Sequence, residues 1–135
     1  MNELLSRLPH KPPALLLSHV YEVSEQSAVC GYTVSDNTLT VLQGLSSAYA
    51  LEMLAQAAAL VLTQSGAQPL SGMLAQCRSL VCRQPFFSFG TELIIYAKLE
   101  GLSAGVLALC SGRVEESGSG LLLAEATFSI YLNNQ

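Results

Sequence analysis

The chain has 135 residues, of which 50% are hydrophobic and only 12% charged, with a net charge of −4 and no tryptophan. That length suits one domain, 1–135, with a single core. The acidic balance and scattered basic residues argue against a nucleic-acid binder. A mean hydropathy of +0.41 is greasy for a monomer, so part of the apolar surface is expected to be covered by another subunit.

The N-terminus, MNELLSRLPHKPP, lacks the apolar core of a secretory signal. Residues 2–8 predict a short amphipathic helix ended by Leu8-Pro9, and His10-Lys11-Pro12-Pro13 must run extended. From His19 to Val34 the β-branched and aromatic residues predict one or two strands, interrupted by a turn or bulge at Ser24–Ser27. Residues 35–45 read as a loop that delivers the chain to the next element.

Residues 44–64, GLSSAYALEMLAQAAALVLTQ, organise the rest. They predict a helix that is apolar nearly all round, with Glu52 as its one charge, and such a helix belongs inside a protein. Ser46 or Ser47 can cap its start, while Ser65-Gly66 and Pro69 stop it. Alanines at 48, 50, 55, 57, 58 and 59 leave a smooth surface for close approach. Gln56 lies one turn beyond Glu52, with Tyr49 at i−3 on the same face. A buried carboxylate is costly unless it is hydrogen-bonded or neutralised, which makes Glu52 a functional lead. The competing reading is a structural ion pair with an arginine at a solvent edge or subunit interface.

The uncharged run 53–77 is broken by Gln56, Gln64, Ser65, Gly66, Gln68 and Pro69 and is no transmembrane helix. After Pro69 the pattern becomes strands at 72–84, 91–100, 104–114 and 121–132, with turns at Gly101-Leu102-Ser103 and 115–120. Short connections imply an antiparallel sheet. The cysteines at 30, 77, 82 and 110 form no metal or redox motif and read as reduced, half-buried strand residues. No metal site and no nucleotide motif is present. The economical α+β arrangement is an antiparallel sheet wrapped around the long helix, the hotdog fold.

Three stretches carry a family resemblance. LPHKPPALLLSHV resembles the N-terminal segment LPHRxPFLLxDRV of FabZ-type 3-hydroxyacyl-(acyl carrier protein) dehydratases. ALEMLAQAAAL resembles their helix motif, and GMLAQCRSLVCRQPFFSFGTEL the strand pair that follows. Within that superfamily QGLSSAYALEMLAQ and RSLVCRQP are most similar to the ApeP-like branch associated with aryl-polyene lipids.

The resemblance implies Glu52 as catalytic acid, with Gln56 and Tyr49 beside it as substrate-binding residues. It also implies that the Ser47-Ala48 backbone polarises a thioester carbonyl, a suitable task for the positive end of a helix. The substrate would be a 3-hydroxyacyl thioester on the phosphopantetheine of an acyl carrier protein, with no further cofactor, handled by a cytoplasmic homodimer or hetero-hotdog dimer. The family's loop histidine is missing: NTLTVLQG stands in its place, with Thr38 near the expected position. Only His10 and His19 remain. The candidate catalytic partner of Glu52 is His10, whose alternative is a structural role at the turn, or else a histidine supplied by a partner subunit; His19 reads as a surface strand residue. Arg78, Arg83 and Lys98 are candidates to meet an acidic carrier protein or are ordinary solvated charges. Two other activities fit the same residues: hydrolysis of acyl thioesters, and a non-catalytic carrier-binding subunit.

Overall fold

The computed structural model describes residues 2–8, 10–64 and 68–133, with the side chains of residues 2, 68–73 and 133 left aside. Asn2–Arg7 forms a 3-10 turn, tighter than the expected α-helix. Two strands follow, β1 (His19–Val23) and β2 (Ser27–Thr33), joined at the predicted interruption. There Ser24 Oγ accepts the backbone N–H groups of Gln26 and Ser27.

A two-residue strand, β3 (Leu45–Ser46), and a 3-10 turn over Ser47–Tyr49 lead into α1 (Ala50–Gln64). The α-helix is thus shorter than the predicted 44–64, because β3 pairs with β5 (Phe86–Phe87) and holds the preceding residues extended. Gly44 sits at φ 124°, in the left-handed region, and a β-carbon there would collide with the Phe87 carbonyl. Only glycine fits there without strain. The Ser65-Gly66 stop lies outside the described residues.

Four long strands follow: β4 (Gln68–Cys82), β6 (Glu92–Ser103), β7 (Leu107–Glu116) and β8 (Leu122–Asn133). The six-stranded sheet runs β1-β2-β6-β7-β8-β4, antiparallel at every pairing. The turn expected at Gly101–Ser103 is strand instead. Gly101 pairs with Leu109 and Ser103 with Leu107, and the reversal falls on Ala104 and Gly105, at φ 55° and 71°. A register shift between Leu99 and Gly101 explains the misreading, since a glycine inside a strand marks a bulge as readily as a turn.

Alternation sends Ala28, Cys30, Leu93, Ile95, Ala97, Ala108, Cys110, Val114, Ala124, Ala126 and Phe128 into the core. Helix α1 packs against β1, β2, β4, β6, β7 and β8, inserting Met53, Leu54, Ala57, Leu60 and Val61 at no more than 1% exposure. Several of the core sheet residues are alanines, at 28, 97, 108, 124 and 126, which leaves room for helix and sheet to approach closely. At Gly112 a β-carbon would strike both Leu54 Cδ2 and the Tyr96 carbonyl. The outer face carries Arg113, whose guanidinium lies 3.9 Å over the Tyr96 ring. That face holds a groove of about 500 Å³, lined in part by Lys98 and by none of the residues expected to be catalytic or substrate-binding.

The cysteines depart in part from the expected half-burial. All are free, but Cys30 and Cys110 are buried, Cys82 is intermediate and Cys77 is exposed. No helix among the described residues is long and apolar enough to cross a membrane.

Candidate active site at the start of the central helix

Glu52 stands in the first turn of α1. Its side chain keeps 41% of its surface exposed in the single chain, and it is not a lone carboxylate. Instead Oε1 lies 3.2 Å from Nε2 of His10. No arginine takes that place, and the N-terminal segment supplies the partner. The His10 ring is 23% exposed, yet its Nδ1 is buried with no hydrogen-bond partner among the described residues.

Gln56 explains how the two residues meet. At 1% exposure it spends its whole amide on fixed partners. Its Oε1 accepts the Leu16 N–H at 2.8 Å, and its Nε2 donates to the Ala14 carbonyl at 2.9 Å and to Glu52 Oε1 at 3.3 Å. The segment that carries His10 is thereby tied to the helix that carries Glu52. A buried amide requires such satisfaction, and the i, i+4 spacing brings it to the Glu52 carboxylate.

The start of the helix is strapped to the chain around β5. Ser47 N–H donates to the Pro85 carbonyl at 3.0 Å, and Cys82 Sγ donates to the Ser47 carbonyl at 3.4 Å. Ser46 is the cap, its hydroxyl accepting the Ala48 N–H at 3.3 Å. Of the two amides expected to polarise a carbonyl, that of Ser47 is therefore committed to the protein. That of Ala48, an exposed residue, is held only by a long bond to a mobile hydroxyl. Tyr49 is half-buried against the core, with no hydrogen bond to Glu52.

The remaining candidates lie elsewhere. His19 is exposed, stacked on Tyr21 at 6.0 Å between ring centres, as a surface strand residue should be. Thr38 is exposed in the loop after β2 with no bond to Glu52. Arg78 and Arg83 are exposed, and Lys98 pairs with Glu100 at 3.4 Å. No cluster of potential metal ligands occurs among the described residues. The sequence reading missed Ala14 and Leu16, which act through backbone atoms and so leave no side-chain signal.

A sheet curled about one central helix, with a carboxylate and an imidazole at the helix start, defines a hotdog-fold protein of the acyl-thioester class. The sequence matches the ApeP-like family, described as ApeP dehydratase, over residues 3–135, and the chain belongs to that family. The dehydratase heterocomplex ApeI:P from Xenorhabdus doucetiae contains a similar chain at 29% identity and TM-score 0.81, over 98% of this chain and 91% of that one. Thioesterase superfamily member 2 from zebrafish shares the fold at 14% identity and TM-score 0.74, covering 96% and 91%. A hypothetical thioesterase from Streptococcus pneumoniae, solved with coenzyme A, does so at 14% and 0.71, covering 87% and 86%. No functionally curated protein is similar in sequence.

Proposed function

We propose that this chain dehydrates 3-hydroxyacyl thioesters carried by an acyl carrier protein, as one subunit of a hotdog pair. The observation that carries the reading is the 3.2 Å contact between His10 Nε2 and Glu52 Oε1. The bonds to be broken, C2–H and C3–O, are on adjacent carbons, so a base and an acid this close can serve both. The cycle requires the pair to start with one proton, on the Glu52 carboxyl. Substrate interrupts the contact. His10 takes the α-proton, and charge moves onto the thioester oxygen beside the Ala48 amide, where the helix start favours it. The C2–C3 double bond then forms, the C3–O bond breaks, and Glu52 gives its proton to the departing hydroxyl, which leaves as water. Transfer of the proton from imidazolium to carboxylate restores the pair, and the proton count closes.

Support for a paired subunit comes from the similar chain found in a dehydratase heterocomplex and from two features of this one. Strand β4 ends the sheet with one edge open, a natural place for a second sheet to continue. The helix face bearing Ala48, Leu51, Glu52, Ala55 and Ala59 is incompletely covered. Arg78 and Arg83, exposed on and just after β4, suit an acidic carrier.

The test is conversion of a 3-hydroxyacyl carrier protein, by this protein alone and with a second hotdog dehydratase subunit. Enoyl product that disappears in Glu52→Gln and His10→Ala is expected. Release of free thiol without enoyl product would assign hydrolysis instead.

A further inference from the structure

We infer that Gln56 is a positioning residue that sets the His10–Glu52 separation, and not a substrate-binding one. The inference rests on the dehydratase reading and concerns the same site. An amide has one oxygen and two N–H groups to offer. In Gln56 the oxygen holds Leu16 N–H, and the nitrogen holds the Ala14 carbonyl and Glu52 Oε1. With 1% of its surface exposed, the side chain has nothing left to present to a substrate.

What it does instead follows from where those partners lie. Ala14 and Leu16 belong to the segment just after His10, while Glu52 is one turn back on the same helix. Among the described residues, Gln56 is the side chain that hydrogen-bonds both the segment and the carboxylate. His10 has no second anchor among the described residues, since Nδ1 finds no partner there. The position of the imidazole therefore depends on the path of its backbone, and Gln56 fixes that path to the helix. Displacing a reacting group by about 1 Å costs roughly 100-fold in rate, so loss of the tie should act on turnover rather than on binding.

The experiment uses the protein in whichever assembly dehydrates a 3-hydroxybutyryl thioester of pantetheine. Gln56→Met keeps the volume and removes all three bonds. The expected result is a fall in kcat of roughly 10- to 100-fold with KM changed less than about 2-fold. In a His10→Ala background the same substitution should cost less than about 2-fold more, because there is no longer an imidazole to place. Losses that multiply fully across the two backgrounds would overturn the inference. So would a rise in KM at unchanged kcat, which would restore Gln56 to substrate binding.

Should Gln56→Met fail to fold, Gln56→Glu takes its place. Its protonated carboxyl both accepts and donates, whereas its ionised form repels Glu52. Its activity relative to the parent should therefore recover as pH falls, and no recovery counts against the tie. A readout apart from activity separates this inference from the reaction assigned to the site. Glu52→Gln should shift the ring resonances of His10 in the parent, and Gln56→Met or Gln56→Glu should abolish that sensitivity. If His10→Ala and Glu52→Gln leave dehydration intact, the assignment of the reaction to this pair fails while the resonance test still decides the role of Gln56.

Discussion

His10 Nε2 and Glu52 Oε1 lie 3.2 Å apart, although one residue precedes a proline-rich stretch that turns at 12–14, closed by Leu15 N–H to the Lys11 carbonyl, where an extended run was expected, and the other sits on the central helix. A contact of this kind between partly exposed groups contributes little to stability, about 0–1 kcal/mol. Its worth is expected in the rate, where a positioned acid or base supplies roughly 10²- to 10⁴-fold. His10→Ala and Glu52→Gln should therefore each cost that much in enoyl formation while leaving the thermal midpoint nearly in place. A large fall in midpoint with little change in rate would make the pair structural.

Ser46 allows a second, sharper test. Its hydroxyl accepts the Ala48 N–H at 3.3 Å, which is the amide the proposed mechanism lends to the thioester oxygen. As a cap it is worth about 0.5–2 kcal/mol, so Ser46→Ala should lower stability by that amount in denaturant titrations. If the hydroxyl only fills the place of the substrate oxygen, kcat should be unchanged and KM unchanged or lower. A fall in kcat comparable to that of Glu52→Gln would show Ser46 taking part directly.

How much of this was legible in the sequence depends on the range of the forces involved. The helix and the alternating strands are written in local periodicity, and they appear where expected apart from element ends. The β3–β5 pairing was not legible, because a two-residue strand is specified by its distant partner. The meeting of His10 with Glu52 was suggested by resemblance alone. Spacing gives no sign of it, since Gln56 builds it through the backbone atoms of Ala14 and Leu16. Burial of Glu52 was inferred from its apolar neighbours in sequence. At the start of a helix, however, a long side chain reaches the open end of the sheet.

Close approach of helix to sheet predicts an intolerance at Gly112. A methyl group there meets the Tyr96 carbonyl and Leu54 Cδ2, and the carbonyl belongs to a strand that cannot yield cheaply. Gly112→Ala should destabilise the fold by about 1–3 kcal/mol, read as a lowered midpoint in urea. Pairing it with Leu54→Ala should recover part of that loss, because the second contact is removed. Leu54→Ala alone should cost about 2–5 kcal/mol. Simple additivity in the double variant would mean that the two residues do not press on each other.

Burial pushes the thiols of Cys30 and Cys110 from 9.0 up to about 12, with Glu100 adding to the effect at Cys110. An acid whose folded pKa is raised binds its proton more tightly in the native state than in the unfolded chain. Its stabilising contribution is therefore complete below pH 9, and it is lost as pH rises through the window between 9 and 12. Each thiol should steepen the alkaline fall in stability by up to about 1.4 kcal/mol per pH unit. Replacing both with alanine should lower stability at neutral pH through lost packing, yet flatten the curve between pH 9 and 12. Thiol labelling gives an independent check: exposed Cys77 should react first at pH 8, and Cys30 and Cys110 only on unfolding. Rapid labelling of Cys30 or Cys110 in the native protein, or an alkaline slope indifferent to their removal, would show that the core around them admits water.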